Sequence, residues 1–519
     1  MRIAALDLGS NSFHLLVVDA HPDGTFTTLA REKEMLHLGE VVARLGRLDE
    51  AHVDRAIDTV RRFATIAHGA GADEIHACAT SALREAANSA EVVDLIESES
   101  GVRVRVISGR DEARLIFGAV RASVRIEHPP AVALDLGGGS LEVGVGDASG
   151  LLWSTSVKLG AARLTAEIVR ADPPSPGDLR RLRSRIADVL RPVADDVVTF
   201  EPKTLIGTSG TFADVARMIE GARAGSVPTS VNQLTVHRRD VAALHERLVS
   251  MPAAARARVP GLDPRRAEQV PAGTLVLLTA MKLFGLNSCT IGEWALREGI
   301  VLDAIGHHDL SDWSRDPEAM RRASVLGLAR RCGWDEAHAR AVARLATDLF
   351  DQLLPLHHLS PGDRHLLEYA ALLHDIGEHV AVESHHKHTA YLIEHGRLRG
   401  FAPDEISVLA VLGRFHRRSD PKSSFEPWAA LGSERREQVL RLLAMLRLAD
   451  GLDRGHSGQV DAVDVVVGEQ RVQLVLHTAG DADLERWGLR RKQALFERVF
   501  GRRIETASAD HPAMQARRR

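Results

Sequence analysis

Two short acidic segments of similar design carry the residue types that phosphate chemistry requires. Asp7 follows the apolar run at residues 3–6 and Asp135 follows the run at residues 132–134, and glycine and serine come directly after each. A turn of this composition exposes backbone N–H groups and hydroxyls that bind phosphate oxygens. An Asp beside such a turn can hold Mg²⁺, directly or through water. Because the pattern occurs twice, we expect a duplicated fold with a phosphate site in the cleft between its halves.

A third Gly/Ser/Thr turn follows the predicted strand at residues 204–206 and opens a helix. The N-terminus of a helix offers unpaired N–H groups and a positive dipole end to an anion. The candidate phosphate-binding residues of the three turns are Gly9, Ser10, Asn11, Ser12, Gly137, Gly138, Gly139, Ser140, Gly207, Thr208, Ser209, Gly210 and Thr211.

The hydrophobic pattern predicts the elements that position these turns. Residues 1–128 contain strands that include 15–19, 25–29, 74–78 and 102–107, with helices at 50–69, after Thr80 and from Asp111. Pro129 and Pro130 break the last helix and mark a domain boundary. Residues 129–305 repeat the theme, with strands at 132–136, 141–146, 151–158 and 204–206. After residue 305 the pattern is helical, and from about residue 460 two strands and a helix at 484–500 follow.

The composition is typical of a globular protein with several domains. The 519 residues are 45% hydrophobic and 26% charged, and the chain is longer than one core normally organises. No apolar run approaches the length of a membrane span, and Met1 and Arg2 lead directly into the first strand, so we expect neither a membrane partner nor a signal peptide. Three cysteines without metal-ligand spacing favour a cytoplasmic protein. The net charge of −4 predicts no nucleic-acid partner, and any basic groove must be local.

Five segments resemble motifs of the exopolyphosphatase and guanosine pentaphosphate phosphohydrolase (Ppx/GppA) family, within the actin, sugar-kinase and Hsp70 superfamily. They are residues 7–15 (DLGSNSFHL), 79–84 (ATSALR), 107–115 (ISGRDEARL), 135–142 (DLGGGSLE) and 207–211 (GTSGT), in family order and spacing. The resemblance implies an α/β fold with a duplicated actin-like (RNase H-like) two-lobed core, at residues 1–128 and 129–305. It also implies an all-helical HD-like domain at 306–458 and a small C-terminal α/β module at 459–519.

The same resemblance implies catalytic roles. Glu112 matches a glutamate that orients or deprotonates water, and Glu142 matches a second acidic residue in catalysis or Mg²⁺ binding. Asp7 and Asp135 would hold the core ion, Mg²⁺ or Mn²⁺, and Arg84 would fork onto a phosphate as no lysine could. The implied substrate is inorganic polyphosphate or guanosine pentaphosphate, and family members are often homodimers. We favour polyphosphate because the extra domains could extend the groove beyond one nucleotide.

The helical region resembles a second kind of site. His374 and Asp375 form the dyad that names the HD phosphohydrolases, and His338 and Asp450 fall where that superfamily supplies its other two ligands. Two histidines and two carboxylates suit Mn²⁺, Fe or Mg²⁺, which predicts a second divalent metal. Alternatively, the dyad is a buried, hydrogen-bonded remnant that holds helices together. In a third interpretation, the basic and histidine-rich residues 385–388, 414, 417 and 418 line a polyphosphate channel.

Two other function classes stay open. An actin-like or sugar-kinase-like protein would use the same turns for ATP, but the motif around Glu112 argues against this. A non-hydrolytic sensing protein would read an alarmone or a metal through its helical domain. The complete acidic set of Asp7, Glu112, Asp135 and Glu142 argues against loss of activity.

Overall fold

The computed structural model describes residues 1–21, 25–147, 149–308, 317–478 and 480–508. Its contacts divide the chain into two units. The first lies within Met1–Met320 and takes in Arg399–Phe401, and the second comprises Arg321–Leu398 and the part after Phe401. The four-domain division stays a prediction, since this grouping is coarser, and residues 509–519 of the C-terminal module lie outside the described residues.

The first unit opens with a five-stranded sheet of order β3-β2-β1-β4-β5. Its strands are β1 (Arg2–Leu8), β2 (Ser12–Ala20), β3 (Phe26–Met35), β4 (Glu74–Ala79) and β5 (Val104–Val106). The first three pair antiparallel, and β4 and β5 continue the sheet in parallel. The helices of this half are α1 (Leu38–Leu45), α2 (Glu50–Gly69), α3 (Ser81–Glu85), α4 (Ser89–Ser100) and α5 (Gly109–Arg121). Short apolar runs make the inner strands, whose side chains fill the core around Leu6, Phe13 and Leu15.

A six-stranded sheet follows, of order β10-β11-β9-β6-β7-β8. Its strands are β6 (Ala131–Leu136), β7 (Leu141–Asp147), β8 (Gly150–Val157), β9 (Thr204–Thr208), β10 (Thr235–His237) and β11 (Ser288–Ile291). The helices are α6 (Ala161–Ile168), α7 (Pro176–Val198), α8 (Gly210–Ala224), α9 (Arg238–Val249), α10 (Ala253–Arg256), α11 (Val270–Leu283) and α12 (Leu296–His308), with a 3₁₀ turn at Pro264–Arg266. The order β8-β7-β6-β9-β11 repeats the order of the first sheet, and β10 is an added edge strand. The predicted duplication of the α/β core is therefore confirmed.

The duplication places the two predicted acidic residues at equivalent positions. Asp7 is the next-to-last residue of β1, and Asp135 is the next-to-last residue of β6. Each strand is the first of an antiparallel three-stranded meander and borders a parallel strand, β4 or β9, on its other side. Both carboxylates consequently lie at the carboxyl edge of a sheet, where α/β proteins bind ligands.

From Arg321 onward the second unit is mostly helical. Its helices are α13 (Pro317–Arg331), α14 (Glu336–Gln352), α15 (Leu354–His357), α16 (Pro361–Leu373), α17 (His385–His395), α18 (Pro403–Phe415), α19 (Glu426–Ala430) and α20 (Ser433–Leu452), with a 3₁₀ turn at Ile376–His379. The described residues between 317 and 428 contain no strand, as predicted.

The end of the second unit contains β12 (Val460–Val467), β13 (Arg471–Thr478), α21 (Asp483–Lys492), α22 (Ala494–Phe500) and β14 (Arg503–Ser508). The sequence missed β14, which pairs in parallel with β13, and it merged α21 and α22 into one helix. The break falls at Gln493, a residue with no turn signal of its own. No helix in the described part of the chain is both long and apolar enough to cross a bilayer.

Candidate active site

The turn after β1 (residues 9–12, loop 1) and the turn after β6 (residues 137–140, loop 2) touch each other. An added Cβ on Gly139 would lie 2.8 Å from Ser10 Oγ and 3.0 Å from Ser81 Oγ. An added Cβ on Gly138 would lie 2.8 Å from Asn11 Cβ. Glycine is therefore needed where the two turns meet, because any side chain would push them apart. The structure brings together the two phosphate turns that the sequence predicts.

The third turn (residues 207–211, loop 3) links β9 to α8. Thr208 is fully buried and donates its hydroxyl to Leu134 O at 3.2 Å. Ser209 has a φ of 88°, a left-handed conformation that is strained for serine, and its buried hydroxyl oxygen lacks a hydrogen-bond partner. The guanidinium of Arg266 lies against Gly210, where α8 begins. A helix N-terminus beside a cation favours an anion at this turn.

Asp7 and Asp135 form an enclosed acidic pair. The pKa of Asp7 is raised to about 7 with burial as the largest cause, while the charge of Arg297 opposes the rise and the like charge of Asp135 adds to it. Burial also raises the pKa of Asp135 to about 6, while the Thr208 hydroxyl and Arg297 lower it. Asp135 Oδ1 is buried without a hydrogen-bond partner. A buried carboxylate oxygen with a free lone pair fits a divalent cation, and Mg²⁺ prefers such oxygen ligands.

The predicted core metal set is not a compact ligand cage. Among the described residues, three groups of histidine and carboxylate atoms lie within 4.8 Å of one another, and all three belong to the second unit. The set of Asp7, Asp135 and Glu142 is not one of them. A cation here would reach some of these carboxylates through water, as Mg²⁺ commonly does.

Glu142 lies on β7 directly opposite Asp135 in the register of the sheet. Its side chain is buried, and Ser156 Oγ donates to its Oε1 at 2.8 Å. Burial raises the pKa of Glu142 to about 7 and the charge of Asp135 adds to the rise, whereas Ser140 and Ser156 oppose it. The pKa of Glu142 therefore depends on whether Asp135 is ionised and on whether a cation is bound beside it.

Glu112 lies in the first turn of α5. That helix begins at Gly109 rather than at the predicted Asp111, because the Ser108 hydroxyl accepts from the N–H of Asp111 as an N-cap. The Glu112 carboxylate is buried, and Arg84 Nη1 donates to its Oε2 at 3.0 Å. Burial raises the pKa of Glu112 well above its usual value and the Glu142 charge adds to this, while Arg84 opposes it. Such a carboxylate accepts a proton more readily than an exposed glutamate does, which suits a general base.

Arg84, at the C-terminal end of α3, also donates to Ile107 O at 2.8 Å. It lines a cavity of about 360 Å³ together with Arg110, Ser140, Ser156 and Lys158. Glu85 borders the same cavity and pairs with Lys158 Nζ at 2.8 Å. Ser154 and Thr155 also line it, and a cavity with three cations and four hydroxyl side chains is suited to phosphate groups.

Sequence reasoning missed several residues of this site. Ser81 lies just after β4 and Lys158 just after β8, in or beside segments that the sequence analysis identified. Their position at the end of a strand is the signal that could have identified them. Ser156 faces Glu142 only through the register of β7 and β8, which the sequence does not encode locally. Arg297 is in the first turn of α12 after β11, and Nη1 lies 3.1 Å from His14 Nδ1. That strand–turn–helix arrangement repeats the pattern of loop 3.

The second unit brings together the four residues predicted for a second metal site. His338 Nε2 lies 3.1 Å from His374 Nε2, and His374 Nε2 lies 3.2 Å from Asp375 Oδ2. Ligand atoms of His338, His374 and Asp450 are all within 4.8 Å of one another. His385, which the sequence analysis names only among the residues of a polyphosphate channel, reaches Asp375 as well.

Comparison with known proteins gives matches along most of the chain. The profile of the Ppx/GppA phosphatase family matches residues 17–308, and the profile of Ppx/GppA phosphatase domain III matches residues 320–493. Exopolyphosphatase 1 of Mycobacterium leprae is 37% identical over 304 residues, which cover 58% of this chain and 89% of that protein. The guanosine-5′-triphosphate,3′-diphosphate pyrophosphatase of Aeromonas hydrophila is 29% identical over 449 residues, 86% of each chain.

Solved structures agree with these matches. An exopolyphosphatase from Cytophaga hutchinsonii has a TM-score of 0.56 at 30% identity and covers 59% of this chain and 98% of its own. The Aquifex aeolicus member of the Ppx/GppA family has a TM-score of 0.53 at 25% identity, covering 60% of this chain and 99% of its own. With the duplicated sheets and the three turns in place, the chain belongs to the Ppx/GppA phosphatase family.

Proposed function

We propose that the first unit is an exopolyphosphatase, which hydrolyses the terminal phosphoanhydride of inorganic polyphosphate with a divalent cation. One observation carries the proposal: a buried carboxyl group with a raised pKa, Glu112, is paired with Arg84 beside a cationic cavity and two touching phosphate turns. Relatives named exopolyphosphatase support the substrate.

Substrate binding would use the charge and the backbone of the first unit. Loops 1, 2 and 3 would present N–H groups and hydroxyls to the terminal phosphate. Arg84, Arg110 and Lys158 would neutralise neighbouring phosphates in the cavity. Arg84 can serve the phosphate and Glu112 together because it has several N–H donors in one plane.

Water would attack the terminal phosphorus. Glu112 accepts a proton as the water oxygen bonds to phosphorus, and the bond to the bridging oxygen breaks. The shortened polyphosphate leaves as an anion, and no covalent enzyme intermediate is required. Arg84 holds the Glu112 carboxylate in position by the 3.0 Å hydrogen bond.

The core cation would be Mg²⁺, or Mn²⁺ in its place. Asp135, with its unpartnered Oδ1, and Asp7 would hold it, and Glu142 lies beside Asp135. When bound, such an ion neutralises charge that develops on phosphate oxygens. The surrounding protein buries these carboxylates. Burial lowers the effective dielectric constant and strengthens the charge interactions between the carboxylates and the cation.

Guanosine pentaphosphate is the second candidate substrate. The match to the Aeromonas hydrophila pyrophosphatase extends over 86% of this chain and so includes part of the second unit, whereas the match to the mycobacterial exopolyphosphatase covers 58% of the chain. The same core chemistry would remove the 5′ terminal phosphate. An HD-like relationship of the second unit is also a proposal, supported by the meeting of His338, His374, Asp375 and Asp450.

A side-by-side assay separates the two substrates. Wild-type protein with Mg²⁺ is given long-chain polyphosphate or guanosine pentaphosphate at equal terminal-phosphate concentration. We expect kcat/KM to favour polyphosphate, with orthophosphate as the first product and stepwise shortening of the chain. A clear preference for the nucleotide would transfer the assignment to the second candidate, and no release from either would contradict both.

A further inference from the structure

Ser12 ends loop 1 and begins β2, and its hydroxyl has a side-chain partner to which the proposed core reaction gives no role. That partner is His14, two residues further along β2. Side chains alternate along a strand, so Ser12 and His14 lie on the same face of the sheet. Ser12 Oγ and His14 Nε2 are 2.8 Å apart. A serine of a predicted phosphate turn is therefore already hydrogen-bonded to a strand residue.

His14 is held on its other side by α12. The apolar side chains of this helix, among them Leu296 and Ile300, belong to one buried cluster with inner side chains of β1 and β2. Arg297 follows Leu296 in the first turn of the helix, and its Nη1 lies 3.1 Å from His14 Nδ1. The packing of α12 against the sheet thus brings a guanidinium to the second ring nitrogen.

These two contacts decide where the imidazole proton of His14 lies. A guanidinium group has N–H donors and no acceptor, so the Nδ1 that Arg297 contacts presents a lone pair. A ring with a lone pair at Nδ1 carries its single proton at Nε2, and this proton is donated to Ser12 Oγ. Burial and the charges of Arg297 and Lys33 also hold the pKa of His14 well below its usual range, which agrees with a neutral ring.

This direction of donation leaves the hydroxyl proton of Ser12 available to a ligand. A serine hydroxyl has one proton and two lone pairs. His14 Nε2–H uses one lone pair, and among the residues that the structure describes Ser12 Oγ has no second hydrogen-bond partner. If the His14 proton were at Nδ1, Ser12 would donate to Nε2 and could only accept from a ligand. The contact between Arg297 and His14 therefore makes Ser12 a donor.

The charges around His14 favour an anion as the acceptor. Lys33 lies directly opposite His14 in the register of β2 and β3, and Asp7 lies opposite it on β1. Burial and the charges of Arg266 and Arg265 lower the pKa of Lys33 to about 8. Arg266 also lies against the start of α8. A hydroxyl donor among several cations suits a phosphate oxygen.

We propose that His14 and Arg297 are positioning residues that fix the Ser12 hydroxyl as a hydrogen-bond donor to a phosphate oxygen of the substrate. We call the three residues the Ser12–His14–Arg297 chain. The inference rests on the proposed phosphate chemistry of the first unit, which supplies the anionic acceptor at loop 1. The donor is oriented before the substrate binds, so it needs no reorganisation when charge develops on phosphate oxygens.

A merely structural role for His14 would be to tie β2 to α12. Its removal would then lower turnover to the same extent whether or not residue 12 has a hydroxyl group. In a positioning role His14 acts through Ser12 Oγ, so the effects of changing the two residues are not additive. A double-mutant cycle separates the two roles.

The cycle consists of wild type, Ser12→Ala, His14→Ala and the double variant, as full-length protein with Mg²⁺ and long-chain polyphosphate. We expect Ser12→Ala to lower kcat/KM about tenfold, as the loss of a hydrogen bond to a charged group does. His14→Ala should lower kcat/KM several-fold when Ser12 is present. In the Ser12→Ala background the same change should alter kcat/KM by no more than about twofold.

Two further variants accompany the cycle. His14→Gln keeps an amide that can donate to Ser12 Oγ and accept from Arg297, so it should restore most of the activity lost in His14→Ala. His76→Ala is the matched control and should stay close to wild type. His76 is a half-buried strand histidine outside loops 1 to 3, and its Nε2 lies 2.7 Å from Glu74 Oε2.

An equal effect of His14→Ala in both backgrounds would overturn the Ser12–His14–Arg297 chain. A folded His14→Gln as impaired as His14→Ala would overturn it as well. Circular dichroism and thermal unfolding identify any variant that fails to fold, and His14→Gln gives a second measurement if His14→Ala is one of them. Wild-type protein that releases no phosphate from polyphosphate or from guanosine pentaphosphate would contradict the proposed function rather than the chain.

The position of the His14 proton is measured separately, so the chain is tested without turnover. Long-range ¹H–¹⁵N NMR spectra of histidine-labelled protein distinguish a proton at Nδ1 from a proton at Nε2. The His14 signal is identified by its loss in His14→Gln. At neutral pH we expect a protonated Nε2 and a bare Nδ1. A proton at Nδ1 would mean that Arg297 does not hold the ring as described, and it would overturn the inference.

Discussion

Glu112 combines two properties that a surface glutamate lacks. It is buried, which raises its pKa, and it receives a hydrogen bond from Arg84 that keeps the carboxylate in one orientation. A base is most effective when its pKa lies near the working pH and its geometry is fixed. The proposed hydrolysis in the core therefore depends on the contact between Glu112 and Arg84 more than on any other contact.

Arg84→Ala should lower kcat/KM for polyphosphate by roughly 10- to 100-fold, because a hydrogen bond to a charged group contributes about 1.5–3 kcal/mol. The loss of the guanidinium should also raise the pKa of Glu112 further, so the activity profile should move to higher pH. Arg103→Ala, an exposed arginine in the same unit, is the control. An unchanged pH profile with lowered kcat/KM would mean that Arg84 binds substrate but does not hold Glu112.

The three buried carboxyl groups of the core predict how Mg²⁺ changes stability with pH. The pKa values of Asp7, Asp135 and Glu142 are about 7, 6 and 7 in the fold, against about 4 when unfolded. Between pH 4 and 7 the folded chain thus binds more protons than the unfolded chain, and these groups lower stability as pH rises. Mg²⁺ prefers the ionised forms, so its effect on Tm should be larger at pH 8 than at pH 5.5.

Thermal unfolding with and without Mg²⁺ at both pH values measures this difference. Asp135→Asn removes one of the titrating ligands and should reduce the difference between the two pH values. If Mg²⁺ raised Tm equally at pH 5.5 and pH 8, or if Asp135→Asn behaved as wild type, the ion would bind elsewhere.

At the scale of elements, the site is made by the approach of two equivalent turns. Loop 2 presses against loop 1 at Gly139, which has no room for a side chain, whereas an added Cβ on Gly137 would meet only Ser140 O at 3.5 Å. The two glycines stand two positions apart in the same turn but differ in what surrounds them. Alanine at Gly139 therefore changes both the packing between the two turns and the flexibility of loop 2, whereas alanine at Gly137 changes mainly the flexibility.

Gly139→Ala should therefore lower stability by about 1–3 kcal/mol, as overpacking does, and should reduce polyphosphate hydrolysis strongly. Gly137→Ala should change both by far less. Denaturant unfolding and phosphate release on the two variants provide the measurement. Equal behaviour of the two alanine variants would show that loops 1 and 2 do not meet as described.

The strands and turns of the core could be predicted from the sequence because each depends on local signals. Apolar runs ending in Asp and then Gly give the strand ends, and α2 was predicted at its observed bounds because Asp49 caps it and its apolar residues recur at helical spacing. The pairing of Ser156 with Glu142 depends on strand register, and Arg297 reaches its partner across the fold. Such contacts join distant segments, so no local pattern reports them.

At the scale of the whole molecule, the chain has two units with separate clusters of ionisable groups. The dyad in the sequence identified His374 and Asp375 as members of this site. The resemblance to HD phosphohydrolases added His338 and Asp450. The contacts of His385 and His416 with Asp375 could not be predicted from the sequence. Many histidines crowd that region, and only the packing of α17 and α18 selects His385 and His416.

Asp375→Ala should spare polyphosphate hydrolysis by the core, because every core residue lies in the first unit. The variant should at the same time lose the divalent metal that we predict at His338, His374, Asp375 and Asp450. Phosphate release and metal content are measured on the same preparation, with His395→Gln as control. A loss of core turnover with the fold intact would show that the two units act as one site.

Glu112 is the proposed general base, and one comparison of variants shows whether it acts as one. Mg²⁺-dependent phosphate release from long-chain polyphosphate is measured for wild type, Glu112→Gln and Asp111→Asn, together with polyphosphate affinity. Asp111 is the exposed neighbour on the same helical turn. We expect Glu112→Gln to lose roughly 10²–10⁴-fold in kcat with nearly unchanged affinity, while Asp111→Asn stays close to wild type. Turnover that survives in Glu112→Gln, or an equal loss of affinity and turnover, would contradict the role of Glu112 as the base.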